Sequence, residues 1–175
     1  MNSLCLRLSG NPICNQGSTE QYCKMTDQSN PAAPSYTTAK KCIGLPPTCL
    51  SSQILSPSCT CAVPYKGTLF FRAPSFSDLT NGSYYMQLEQ GMKARFLVFN
   101  IPVGSISVDN PFVDANNNLQ MNLEVFPGNK ILFGEQDISD IGFILSNQTY
   151  KPPAIFGPYY FIGQQYPFAT GKATD

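Results

Sequence analysis

Leu119-Gln120-Met121-Asn122-Leu123-Glu124-Val125 alternates apolar and polar residues without a break. Successive side chains of a strand point to opposite faces, so this run predicts a strand with Leu119, Met121, Leu123 and Val125 turned toward a core. Pro127-Gly128-Asn129 ends it. Just upstream, Val103 to Val108 alternates through Ile106 and Val108, and the turn-rich stretch from Asp109 to Asn118 separates the two strands.

Helical spacing brackets this pair. Tyr85, Leu88, Met92, Phe96 and Phe99 recur three and four apart, which places them on one helix face, and Glu89 and Lys93 form an i,i+4 pair in the favourable order. Pro102 is the expected stop. A second, shorter helix fits Gly134 to Ser146, with Ile138, Ile141 and Leu145 facing inward. A β-rich run, Gly67 to Phe71, precedes the first helix and ends at Arg72-Ala73-Pro74; an aromatic run, Ala154 to Ile162, follows the second. The expected order is β-α-β-β-α-β, an α+β fold of the ferredoxin-like split type.

Outside this body the texture changes. All seven cysteines lie at or before Cys61: Cys5, Cys14, Cys23, Cys42, Cys49, Cys59 and Cys61. Crowding in a Pro/Ser-rich, weakly periodic stretch reads as a disulfide framework formed in an oxidising compartment. Six of them, Cys14, Cys23, Cys42, Cys49, Cys59 and Cys61, are the disulfide candidates, with Cys5 as the odd thiol. Their connectivity is open, since six cysteines allow about 15 pairings. Cys59 and Cys61 stand too close in sequence to close an unstrained ring, so each is expected to bond elsewhere. Cys49, Cys59 and Cys61 are the candidates for a labile, redox-sensing bridge. Zinc is the competing use of thiolates, but no C-x-x-C knuckle occurs and the chain has no histidine, so no metal is expected.

Two sequons, Asn81-Gly82-Ser83 and Asn147-Gln148-Thr149, fit the same extracellular setting and make Asn81 and Asn147 the glycosylation candidates. No signal-peptide pattern opens the chain and no window reaches the ~20 apolar residues of a membrane span, so the expectation is a fragment of a longer chain that does not itself insert into a membrane.

Charged residues make up 13% of the chain and formal net charge is zero. A nucleic-acid partner is excluded for want of a basic stripe, since phosphate binding needs clustered Lys and Arg. Without histidine the usual imidazole-based triads are also unavailable. Asp137 and Asp140 lie three apart near a helix start, where a solvated acidic face is the simpler reading. Asp114-Ala115-Asn116-Asn117-Asn118 opens like a calcium loop but has Leu119 where the turn needs glycine and Val125 where a bidentate carboxylate belongs. No nucleotide-binding loop occurs, and neither a cofactor nor a catalytic residue is expected.

Leu6-Arg7-Leu8-Ser9-Gly10-Asn11 fits the core of one leucine-rich repeat. Together with Asn11-Pro12-Ile13-Cys14, Tyr22-Cys23, Ser56-Pro57-Ser58-Cys59-Thr60-Cys61, Pro64-Tyr65-Lys66-Gly67-Thr68-Leu69, Phe71-Arg72-Ala73-Pro74-Ser75-Phe76-Ser77-Asp78-Leu79 and Phe156-Gly157-Pro158-Tyr159-Tyr160, the chain resembles the plant leucine-rich-repeat receptor-like kinases of subfamily VIII-1. The resemblance implies a remnant of the last repeat (1–13), a cysteine-rich link (14–62), a membrane-proximal α+β domain similar to SEA-like domains (63–165) and a flexible tail (166–175). In the family a membrane helix and a cytoplasmic Ser/Thr kinase follow; no kinase residue falls within this chain. Some members are linked to perceiving oxidants or quinones through an extra cysteine three residues before the one matching Cys49, and Pro46 stands at that position here, which argues against direct oxidant sensing.

The expected function is therefore a non-catalytic extracellular juxtamembrane module, at the plasma-membrane surface or in the apoplast, whose partners are other receptor ectodomains or an extracellular ligand. Two alternatives are a cysteine-based sensor of oxidants or quinones and a secreted soluble receptor fragment. The sequence sets no oligomeric state.

Overall fold

The computed structural model describes residues 36–38, 42 and 49–168. The chain divides into two compact units, Met1–Ala33 and Pro34–Asp175. The first lies wholly outside the described residues, and with it the repeat remnant, Cys5, Cys14 and Cys23.

In the second unit a short hairpin of β1 (Ile54–Leu55) and β2 (Cys61–Ala62) leads into β3 (Tyr65–Phe71). Then follow α1 (Gly82–Val98), β4 (Val103–Val113), β5 (Leu119–Pro127), α2 (Glu135–Ser146), a 3-10 turn at Ala154–Phe156 and β6 (Tyr159–Gly163). The main sheet has the order β4-β5-β3-β6, and every neighbouring pair is antiparallel. The structure is thus mixed α+β, with strands and helices in the expected sequence.

The run that decided the reading lies where the period-2 argument puts it. Leu119, Met121, Leu123 and Val125 are buried in one cluster with Leu69, Val108 and Phe161 of the other strands. Leu88, Met92 and Phe96 of α1 and Ile141, Ile144 and Leu145 of α2 complete that core, so both helices cover the same sheet face. Backbone and ring approach most closely at one contact: a Cβ on Gly163 would stand 2.1 Å from the Tyr65 hydroxyl oxygen, so the ring would have to shift, and Gly163 pairs with Gly67 on the adjacent strand.

Several boundaries differ from expectation for local reasons. α1 stops before Pro102. Asn100 takes a left-handed φ of 55°, its N–H bonds Leu97 C=O at 3.0 Å, and Ile101 N–H reaches back to Phe96 C=O at 3.0 Å. This is the six-to-one and five-to-two pattern of a Schellman end, with Asn in the position usually given to Gly. Phe99 is therefore the C-cap and is 46% exposed, not part of the buried face. Glu89 and Lys93 do not pair either: Lys93 Nζ donates to Gly104 C=O at 2.7 Å, and Glu89 turns to Thr38.

β4 continues through Asn110-Pro111 to Val113 although those residues read as turn, because β4 is a sheet edge. Proline forfeits no central hydrogen bond at an edge, and a register irregularity between Asp109 and Phe112 absorbs the left-handed Asn110, φ 53°. The actual turn is 114–118, closed by Asp114 N–H to Asn118 C=O at 2.9 Å. At the far end, Ala154–Phe156 is a 3-10 turn rather than strand, and β6 is confined to Tyr159–Gly163. Tyr166, assigned from sequence to the flexible tail, is buried in the core; residues 169–175 lie outside the described range.

Candidate functional site

The disulfide collar stands immediately before β3. Cys42 is joined to Cys59 and Cys49 to Cys61, with Cα–Cα distances of 5.8 and 5.5 Å. The adjacent cysteines Cys59 and Cys61 thus bond to different partners. They can diverge because Cys59 sits at a left-handed φ of 62°, at the turn between β1 and β2. That turn is held by Ser56 N–H to Thr60 C=O at 2.9 Å, Cys59 N–H to Ser56 C=O at 2.8 Å and the Ser56–Thr60 hydroxyl pair at 2.8 Å. Ser58 Oγ then reaches Ser105 Oγ on β4 at 3.3 Å, tying the collar to the main sheet. The three redox candidates are all consumed in these bridges and are partly buried.

A second feature went unread in the sequence. Tyr36–Thr38 lies along the free edge of β4, where Thr37 bridges Asp109 and Asn110 N–H bonds Tyr36 C=O at 3.1 Å. Thr37 Oγ1 bonds the Asp109 carboxylate, and Thr38 Oγ1 bonds both Glu89 and Val108 C=O, the latter at 3.0 Å. Val108 N–H donates back to Thr38 Oγ1 at 2.9 Å. Tyr36 packs at a tilt of 34° against Tyr85, with ring centroids 4.5 Å apart. Beneath this strap, burial raises the Glu89 pKa to about 7, the nearby Asp109 pushes the same way, and the bonds from Thr38 and Val108 only partly oppose it.

The third feature is a shallow groove of about 550 Å³ between the C-terminal half of α1 and the segment after α2. Gly91, Ala94, Arg95 and Val98 line one side, and Thr149, Tyr150 and Lys151 the other. Tyr150 Oη donates to Leu88 C=O at 3.0 Å and packs closely over Gly91, where a Cβ would stand 3.0 Å from that hydroxyl. Burial raises the Tyr150 pKa, with Tyr159 adding to it, so the hydroxyl stays a donor. The Arg95 guanidinium carbon lies 4.8 Å from the Phe99 ring centroid, and its Nε is buried with no hydrogen-bond partner among the described residues.

The face of the sheet away from the helices carries Lys66, Thr68, Phe70, Gln120, Asn122 and Glu124 by strand alternation. Lys66 and Glu124 pair at 2.9 Å, and Phe70 stacks on Tyr160 at 4.6 Å with Arg72 over the Tyr160 ring.

The residues weighed for chemistry do not converge. Asp137 Oδ2 accepts from Gly134 N–H at 2.9 Å and pairs with Lys130 at 2.8 Å; burial pushes its pKa up, but those bonds outweigh it and leave the carboxyl below its usual range. Asp140 accepts from Gln136. Asp114 spends both oxygens inside its hairpin loop, on Asn116 and Asn118 N–H and on the Asn118 and Gln120 amides. Among the described residues no group of three or more His, Cys, Asp or Glu is placed to hold a metal, and no helix is long and apolar enough to cross a membrane. Asn81 caps α1, its Oδ1 accepting from Ser83 N–H at 3.1 Å and Ser83 Oγ at 2.7 Å, whereas Asn147 is the exposed C-cap of α2.

No family model matches the chain, and no solved structure does. Over 168 residues, 94% of its length, the chain is 27% identical to a "probable leucine-rich repeat receptor-like protein kinase" of Arabidopsis thaliana. It spans 17% of that protein's length, and the likeness supports a relationship to the plant leucine-rich repeat receptor-like kinases.

Proposed function

We propose that this chain is a non-catalytic extracellular module from the juxtamembrane part of a plant receptor-like kinase of subfamily VIII-1, acting in ligand perception or receptor association. The observation that carries the reading is the collar. Two disulfides brace the hairpin of β1 and β2, which runs, with only Val63 and Pro64 between, into the first strand of the α+β body. Such bridges persist in oxidising compartments and are rare in the cytosol, which supports a place outside the cell. The order of elements and the strand order β4-β5-β3-β6 support a ferredoxin-like arrangement of the SEA-like kind, with β3, β4, β5 and β6 as its four strands. The similarity to the Arabidopsis receptor kinase supports the parent type. In this role the body spaces and orients what the collar carries, and its surfaces make protein contacts.

The test is to express the chain in plant cells between a secretory leader and a single membrane helix. A membrane-impermeant biotin reagent should label it, and a non-reducing peptide map should show Cys42 linked to Cys59 and Cys49 to Cys61. Labelled protein with all four sulfurs free would overturn the reading.

A further inference from the structure

We propose that the groove between α1 and the Thr149–Lys151 segment binds an acidic peptide segment of an extracellular protein partner, its carboxylate on Arg95 and Lys151 and its apolar neighbour on Ala94 and Val98. The proposal rests on the reading of the chain as a receptor module and names the chemistry of its partner.

Charge complementarity selects the occupant. Among the described residues the groove's charged lining consists of Arg95 and Lys151, without a carboxylate. Three other cations of the body are answered locally, Lys66 by Glu124, Lys130 by Asp137 and Lys93 by Gly104 C=O, and Arg72 lies over the Tyr160 ring. Arg95 rests on the Phe99 ring and keeps a buried Nε–H with no acceptor among the described residues. A carboxylate meets a guanidinium as a two-pronged acceptor, here through the terminal nitrogens, since the Nε–H is shielded. The ring contact holds the fork in place, so little side-chain freedom remains to be lost on binding.

The floor sets the second half of the specificity. Gly91 and Ala94 keep the groove open, and Val98, 70% exposed on the next turn, offers an apolar shelf beside the cation. An apolar residue next to an acidic one on an extended peptide meets both. A small anion would meet only the charge, and a strongly acidic polymer only the two cations.

The test uses the oxidised full chain labelled with nitrogen-15. An acetylated, amidated peptide of alternating glutamate and leucine is titrated in, beside its glutamine counterpart. The expected result is amide shifts centred on residues 91–98 and 149–151, weakened by salt and absent with the glutamine peptide. Arg95→Gln with Lys151→Gln should weaken binding by about tenfold or more, and Lys151→Gln alone, at an exposed position, serves if the double variant loses its native spectrum. No shifts at millimolar peptide, equal binding of the glutamine peptide, unchanged affinity of the variants, or capture of the chain by phosphatidylserine vesicles through the same amides would each overturn the proposal. Because the module reading fails on free thiols instead, a negative titration with both bridges intact removes the groove alone.

Discussion

Raising the pH from 5 to 8 should loosen the strap at Tyr36–Thr38. Glu89 has its pKa lifted from the usual 4.5 to about 7, chiefly by burial and then by the repulsion of Asp109. The unfolded chain gives up this proton near 4.5 while the folded chain keeps it to about 7. Stability therefore falls as pH rises through that window and levels off above it. At about 1.4 kcal/mol per pKa unit the ceiling is about 3 kcal/mol, and since the carboxyl is not sealed from water, solvent screening brings the expected loss to about 1–2 kcal/mol. The cost is that of ionising a covered carboxyl: burial and the facing Asp109 disfavour the charge, and the bonds from Thr38 and Val108 offset only part of it. Other groups near it do not compensate: Tyr36 remains neutral over this range, its pKa raised by burial and by Glu89, and Lys93 is bonded to Gly104. Asp78, Asp114 and Asp137 have lowered pKa values, so their contributions are lost only in acid, below the window. Urea unfolding at pH 5 and 8, with hydrogen exchange read at residues 36–38, measures the effect. Glu89→Gln should flatten the profile while keeping an acceptor for Thr38 Oγ1. A flat wild-type profile, or an equal slope in Glu89→Gln, would refute the reasoning.

Leu123→Asp should abolish cooperative unfolding, because it places an unpaired charge in the middle of the sealed core; a thermal melt with a native transition would contradict the register. Gly163→Ala should destabilise by about 1–3 kcal/mol through overpacking on Tyr65, and Tyr65→Phe in the same chain should recover part of it in urea unfolding. Converting Cys49 and Cys61 together to serine opens a bridge of sequence separation 12 and should lower stability by about 3 kcal/mol on chain-entropy grounds, read as a shift in urea midpoint. On plant-expressed protein, intact mass before and after deglycosylation should show glycans at Asn81 and Asn147. Occupancy should be higher at exposed Asn147, since the Asn81 side chain is engaged in capping α1; an unmodified mass would argue against secretion.

What was legible in the sequence followed from periodicity. The strand at 119–125 and the faces of both helices are dictated by which residues must leave water, so spacing alone places them. Chain ends were not legible in the same way. Asn100 ends α1 through a left-handed backbone that a periodic pattern does not encode, and the Asn110-Pro111 pair belongs to a strand only because topology makes β4 an edge. The features of the candidate sites were hidden for a related reason. Glu89 and Lys93 have the spacing of a surface pair, but a segment fifty residues upstream covers the glutamate, and no local pattern announces that contact. Arg95 sits within Ala94-Arg95-Phe96-Leu97-Val98-Phe99, and a lone cation in so apolar a helix end was the available signal. The cysteine pairing was open in principle, since spacing does not choose among partners.

Tyr166 bears on how the module responds to load. Its hydroxyl donates to Val63 C=O and accepts from Phe133 N–H, both at 2.9 Å, and the next rung inward is Gln164 N–H to Lys66 C=O. The residues leading into β3 and those leaving β6 are thus fastened at one end of two antiparallel neighbours. Tension applied to the flanking segments would act across the β3–β6 ladder rather than along it, opening rungs one after another from this tyrosine, as a zipper parts, instead of shearing them all at once. Once the Tyr36–Thr38 strap upstream has let go, the parting of a body strung in this way would begin at a single phenol.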